Sequence, residues 1–336
     1  MSDAAPSPGW RRRLAGLMLL ALILGACGPA APLATTAPPL DTAVPDPVAV
    51  AATATLPAGV SLPTALPTLA AVSDSFSGEQ ALRYAETQMQ WQPRDTGTPG
   101  WQSNGDWIVQ TLVAAGWQVE EQFFSVPENK QGRNIIAKRG SGPLVILGAH
   151  YDSRRFADQD PDLQKRQLPV PAANDGASGV AVLLELARVL QPEDLNEEVW
   201  LAFFDAEDNG DIGQWGWTLG SVDLAERLPR APQAVVIVDM IGDADQQIYL
   251  EQSSTEALRT EIWQVAADLK YATFIPQVKY NMQDDHTAFL AKGYPAIDII
   301  DFDYPHWHTT ADTLDKLSAP ALESVGRTLE VWLTRD

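Results

Sequence analysis

The sequence predicts an α/β fold, a mostly parallel mixed sheet sandwiched by helices. Short apolar runs at residues 144–147, 199–204 and 234–238 have the unbroken hydrophobicity of strands buried on both faces, and residues 296–300 read as a further strand that carries Asp298. Segments of helical period lie between them, the alternation that builds a parallel sheet covered on both sides. Acidic residues then emerge where the runs end, the edge at which open α/β sheets bind ligands.

Helical periodicity covers residues 77–89 and 106–115, where Gly116 stops the second helix. Residues 119–126 and 133–138 alternate like strands. The run 144–147 ends at Gly148-Ala149-His150-Tyr151-Asp152, and a long polar loop follows to Ala173. Asn174-Asp175-Gly176 opens a helix through Leu190 with Val180, Leu183, Leu184 and Ala187 on one face. The glycines at 176 and 179 serve close helix approach rather than a phosphate. Residues 199–204 and 234–238 are the next strands, the latter ending at Asp239. A helix is expected over 254–269, a strand over 296–300 leading into the loop 301–310, and a closing helix over 317–333. There is no internal repeat.

The most informative stretch is Phe203-Phe204-Asp205-Ala206-Glu207-Asp208, an apolar run that breaks into three carboxylates. Successive side chains of a strand point to opposite faces, so Glu207 and Asp208 cannot both face one ligand from a regular strand. On the loop that follows, one can bind a metal while the other accepts a proton.

The ends bound the folded part. Arg11, Arg12 and Arg13 precede an apolar stretch over 14–24, which is shorter than the roughly 20 residues of a spanning helix. Cys27, the only cysteine of the 336 residues, has no partner for an intrachain disulfide. Leu24-Gly25-Ala26-Cys27 resembles a bacterial lipobox, which implies lipidation at Cys27 and an exported lipoprotein, membrane-anchored and facing the cell exterior or periplasm. Residues 1–27 are thus expected to be a signal peptide. Residues 28–73, rich in Pro, Ala and Thr and almost uncharged, are expected to be a disordered tether. Residues 74–336 form one domain of about 260 residues. A net charge of −21 excludes a nucleic-acid partner, whose phosphates need basic neutralisation.

His150 and Asp152 leave one strand end, Asp175 a helix start, and Glu207 and Asp208 a second strand end. Asp239 leaves a third, and His308 follows a fourth. Two histidines and three carboxylates suit zinc in the catalytic style, and so many acids on one rim call for a cation. Asp152 is placed to orient His150 through its second ring nitrogen.

These residues carry a family resemblance. His150-Tyr151-Asp152-Ser153, Asn174-Asp175-Gly176, Glu207-Asp208, Asp239-Met240-Ile241-Gly242 and Trp307-His308-Thr309 resemble, in this order, the co-catalytic zinc aminopeptidases and the glutaminyl-peptide cyclotransferases of metallopeptidase family 28. The resemblance implies the zinc-exopeptidase fold and action on peptide N-termini. In the aminopeptidase pattern His150 and Asp239 bind one zinc, Asp208 and His308 a second, and Asp175 bridges them. In the cyclase pattern Asp175, Asp208 and His308 hold a single zinc. Glu207 is the base in both, with its pKa raised by burial and by Asp284 and Asp239. Asp284, where aminopeptidases usually show Ser, and Trp307 beside His308 favour the cyclase, with Trp215 or Trp217 as the second aromatic wall. Asp208 stands where both groups usually carry Glu, and Asp298 where animal cyclases carry His. A non-catalytic binding protein on this fold is a third reading, against which the presence of Glu207 counts.

Overall fold

The computed structural model describes residues 75–335. The expected signal peptide, Cys27 and the tether 28–73 lie outside the described residues.

The chain opens with helices α1 (Gly78–Gln88) and α2 (Pro99–Ala114), then an antiparallel pair β1 (Gln118–Val126) and β2 (Lys130–Gly140). β3 (Leu144–His150), α3 (Ala177–Val189), β4 (Glu198–Phe204), α4 (Leu219–Arg227) and β5 (Ala234–Asp239) follow. After β6 (Ile248–Glu251), α5 (Glu256–Asp268), β7 (Phe274–Tyr280), α6 (Asp285–Leu290) and β8 (Ala296–Ile300), the chain closes with α7 (Ala319–Thr334). The main sheet has the order β1-β2-β4-β3-β5-β8, parallel from β4 to β8 and antiparallel at β1 and β2. β6 and β7 pair in a separate two-stranded sheet.

The apolar runs are strands buried on both faces. Val145, Leu147, Val199, Leu201 and Val236 join one core with α1, α3, α5 and α7, while Ile146, Trp200, Ala202, Phe204 and Val235 join another with α4 and α6. Gly179 lets α3 lie against the sheet: a Cβ there would meet the Val238 carbonyl oxygen at 2.4 Å.

The expected α2 was too short. It begins at Pro99, with the Thr98 hydroxyl accepting from Trp101 N, because proline fits a first turn whose N–H groups need no helical partner. Helices α4 and α6 and strands β6 and β7 have no counterpart in the sequence reading. The two helices are only 9 and 6 residues long, too short for a clear period, and most of β7 is not buried.

The chain passes from β3 to β4 on one side and then crosses back to β5 on the other. The loops after these strands part around β3 and leave a crevice at their carboxyl ends.

Candidate active site

The predicted rim residues converge on this crevice. β3 ends at His150 and β5 at Asp239, Glu207 follows β4, Asp175 precedes α3, and His308 lies in the loop after β8. Backbone geometry explains how sequence neighbours face one centre. Ala206 (φ 57°), Met240 (φ 47°) and His308 (φ 53°) adopt the left-handed region, which costs a residue bearing a Cβ about 1–2 kcal/mol. The turn at Ala206 breaks the strand alternation, so Glu207 and Asp208 line the same cavity. Asp152 holds that turn, its two oxygens accepting the N–H groups of Glu207 (3.1 Å) and Asp208 (3.3 Å). Its Oδ1 also lies 3.6 Å from His150 Nδ1, so it faces the imidazole as expected and fixes the acidic turn besides.

Two triads result. Donor atoms of His150, Asp175 and Asp239 lie within 4.8 Å of one another, as do those of Asp175, Asp208 and His308. His150 Nε2 is 3.1 Å from Asp175 Oδ1 and 3.2 Å from Asp239 Oδ1. His308 Nε2 is 2.9 Å from Asp208 Oδ1 and 3.6 Å from Asp175 Oδ2. Asp312, which the sequence reading missed, sets the shared acid: it accepts the N–H groups of Asn174 (2.9 Å) and Asp175 (3.1 Å) and the Tyr304 hydroxyl (2.7 Å). Asp175 Oδ2 and Asp208 Oδ2 are buried and receive no hydrogen bond. A buried carboxylate oxygen without a donor is costly, and carboxylates with imidazoles are zinc ligands. The residues fit the metal.

The electrostatics follow from crowding. Burial, with Asp208, Asp284 and Asp285 adding to it against His150, raises Glu207 well above the carboxylate range. Of the expected acidic neighbours Asp284 is among the largest causes, beside Asp208 and Asp285, and Asp239 lines the same cavity. Burial pushes Asp239 up to about 7 despite its contact with His150. Asp298, buried on β8, is raised by burial and then by Asp284, Asp239 and Glu251. For His150, burial alone would lower the pKa, but Asp152, Asp175 and Asp239 raise it well above the usual value.

A cavity of about 150 Å³ opens over the triads, with Glu207, Asp239 and Asp284 among its polar lining and Trp217, Phe302 and Trp307 among its apolar one. Trp307 stacks on the His308 imidazole with ring centres 3.7 Å apart, and Trp217 lies nearly parallel to it (7°) at 6.0 Å. Trp215 is not in this wall. It packs with Phe124, Val126 and Ala206, and its Nε1 donates to Glu128 at 3.0 Å, so the β1–β2 hairpin absorbs both its ring and its polar tip. Met240, Met282 and Ile300 also line the cavity; as ordinary apolar residues they gave no signal. A larger hollow of about 360 Å³ lies at the other ends of the strands, beside Val145 and Ala234. Among the described residues it holds no metal-ligating cluster. The smaller cavity is the site.

Comparison with known proteins gives the family. The chain is 27% identical over 286 residues to the bovine glutaminyl-peptide cyclotransferase-like protein, covering 71% of each. The glutaminyl cyclase of Porphyromonas gingivalis has a similar structure, with TM-score 0.73 and 33% identity over 78% of this chain and 99% of that one. So has a Zn-dependent exopeptidase from Parabacteroides distasonis, with TM-score 0.74, 29% identity and the same coverage. The Peptidase family M28 matches residues 134–333, which include both triads, Glu207 and both indoles of the cavity; the chain belongs to this family.

Proposed function

We propose that the protein is a zinc-dependent glutaminyl-peptide cyclotransferase, converting N-terminal glutamine to pyroglutamate with release of ammonia. The observation that supports this reading is the small cavity lined both by Glu207 and Asp284 and by the indoles of Trp217 and Trp307. It suits a short amide side chain. Similarity to cyclases from animals and bacteria supports it.

Asp175, Asp208 and His308 would hold the zinc, which when bound supplies Lewis acidity toward the γ-carbonyl oxygen of the substrate glutamine. Glu207 takes a proton from the α-amine as its nitrogen forms the ring C–N bond, then gives that proton to the amide nitrogen that leaves as ammonia. A carboxyl whose pKa burial and its acidic neighbours raise well above the ordinary range does both. Asp284 and Asp239 place negative charge where the substrate amine enters, and the two indoles hold the side chain flat. Incubation with a Gln-initiated peptide should yield a product lighter by one ammonia with the next peptide bond intact, read by mass spectrometry. Release of free residues from Leu- or Ala-initiated peptides, with no cyclic product, would sink the cyclase reading.

The second reading, a zinc aminopeptidase, is favoured by one observation: the His150-Asp175-Asp239 triad is also assembled. In it Glu207 takes a proton from the water that attacks the first peptide bond. Zinc stoichiometry separates the two readings, at one ion per chain for the cyclase and two for the aminopeptidase.

Export as a lipoprotein anchored through Cys27 belongs to the same proposal, supported by the lipobox-like Leu24-Gly25-Ala26-Cys27. Cys27→Ser should release active protein from the membrane fraction. Persistent membrane association would mean another anchor.

A further inference from the structure

We infer that Arg154 is a positioning residue that couples the indole wall of the cavity to two ligands of the second triad. The inference rests on the zinc reading of Asp175, Asp208 and His308. Arg154 is 2% exposed and sits in the loop after β3, outside both triads. Its Nη1 donates to the carbonyl oxygens of Asp208 (2.8 Å) and Gly210 (3.3 Å) and lies 3.7 Å from Asp208 Oδ1. Its Nε and Nη2 donate to the two oxygens of Asp158 at 2.9 and 2.7 Å. Asp158 Oδ1 in turn lies 3.6 Å from His308 Nδ1, the ring nitrogen facing away from the triad.

The same guanidinium lies 5.0 Å from the ring centre of Trp217. That indole is pressed onto the backbone at Gly210, where a Cβ would meet the ring at 2.0 Å. One planar cation therefore bonds the backbone of one ligand, holds Asp158 3.6 Å from the outer nitrogen of another, and faces a wall of the substrate cavity. The rigid fork of the guanidinium makes these four hydrogen bonds together, which a lysine ammonium cannot.

The coupling also bears on Asp208, one methylene shorter than glutamate. A shorter ligand has less reach of its own, so its position depends more on the backbone, and Arg154 grips that backbone at the Asp208 carbonyl. An outer residue that orients a ligand typically changes metal affinity by about 10- to 100-fold when replaced.

The test compares wild type with Arg154→Lys, which keeps the charge and loses the fork, and with Asp158→Asn. Zinc affinity is measured by chelator competition, the visible spectrum after cobalt(II) substitution, and the melting temperature without metal. We expect Arg154→Lys to weaken zinc binding about 10- to 100-fold, to shift the cobalt spectrum and to raise KM for a Gln peptide. Asp158→Asn should move affinity and spectrum in the same direction. Wild-type zinc affinity and cobalt spectrum in Arg154→Lys overturn the inference, even if that variant melts lower. Should Arg154→Lys not fold, Asp158→Asn decides by the same two readouts. Wild-type protein that takes up no zinc removes the zinc reading and this role together, whereas zinc uptake indifferent to both substitutions removes this role alone.

Discussion

The two triads share Asp175 and one sheet edge, yet their negative charge is balanced in different ways. His150 stands among Asp152, Asp175 and Asp239, which raise its pKa well above the usual value against the opposing effect of burial. Its balancing charge is a proton, and a proton can leave. At the second triad the nearby cation is Arg154, 3.7 Å from Asp208 Oδ1, and an arginine keeps its charge at any working pH. A metal entering the first triad must displace the proton of His150; one entering the second competes with a proton at Asp208, whose pKa burial and Asp175 raise, beside an arginine whose charge stays. Two sites with similar ligands are thus expected to differ in how their metal affinity depends on pH.

The strongest way to break the comparison is at the shared residue. Asp175→Ala removes a ligand from both triads, so metal and activity should disappear together, as measured by metal analysis and turnover on Gln peptides. Full activity in that variant would remove the metal centre from the mechanism. Glu207→Gln comes next. It leaves every ligand of both triads in place, so metal content should hold while turnover falls by roughly two to four orders of magnitude, the usual worth of a positioned base.

The asymmetric test is His150→Ala beside His308→Ala. If the second triad alone holds the zinc, His150→Ala keeps its one ion per chain and His308→Ala loses it. If both are filled, each variant loses one of two. With wild-type protein, uptake of a second ion that grows as pH rises would show the first triad opening as His150 gives up its proton.

Much of this was legible in the sequence because burial and chemistry coincide at strand ends. Unbroken apolar runs marked β3, β4 and β5, and the polar residues at or just past their ends, His150, Glu207 and Asp239, marked the rim. What stayed hidden depends on contacts distant in sequence. Trp215 and Trp217 are two residues apart and chemically identical, and only the packing of the β1–β2 hairpin decides which one reaches the cavity. Asp312 holds Asp175 across 137 positions. Asp158 looks like any acid in a polar loop. The turn at Ala206 is a backbone conformation that alanine does not advertise.

The smallest expected effect is on stability without metal, and its sign follows from the crowded acids. Burial is the first cause of the raised values of Asp239, about 7, and of Asp312 and Asp301, about 6 each. The unfolded chain would give these groups about 3.9. Between those limits the folded chain binds more protons than the unfolded one, so stability falls as pH rises. His150 acts in the same direction, since its folded value is raised and its contribution is lost as pH climbs through it. A buried acid in its titration window contributes at most about 1.4 kcal/mol per pH unit. About 1 kcal/mol shifts the melting temperature of a domain this size by roughly 2–4 °C. Metal-free protein should therefore melt several degrees lower at pH 8 than at pH 5. Zinc acts oppositely: it binds the folded chain, and its ligands lose their competing protons as pH rises. The gap between zinc-loaded and metal-free melting temperatures should widen toward alkaline pH, as measured by calorimetry in matched buffers with and without chelator. A metal-free protein that gains stability from pH 5 to pH 8 would show that these acids are already compensated within the fold, and the rim would then have no need of a cation.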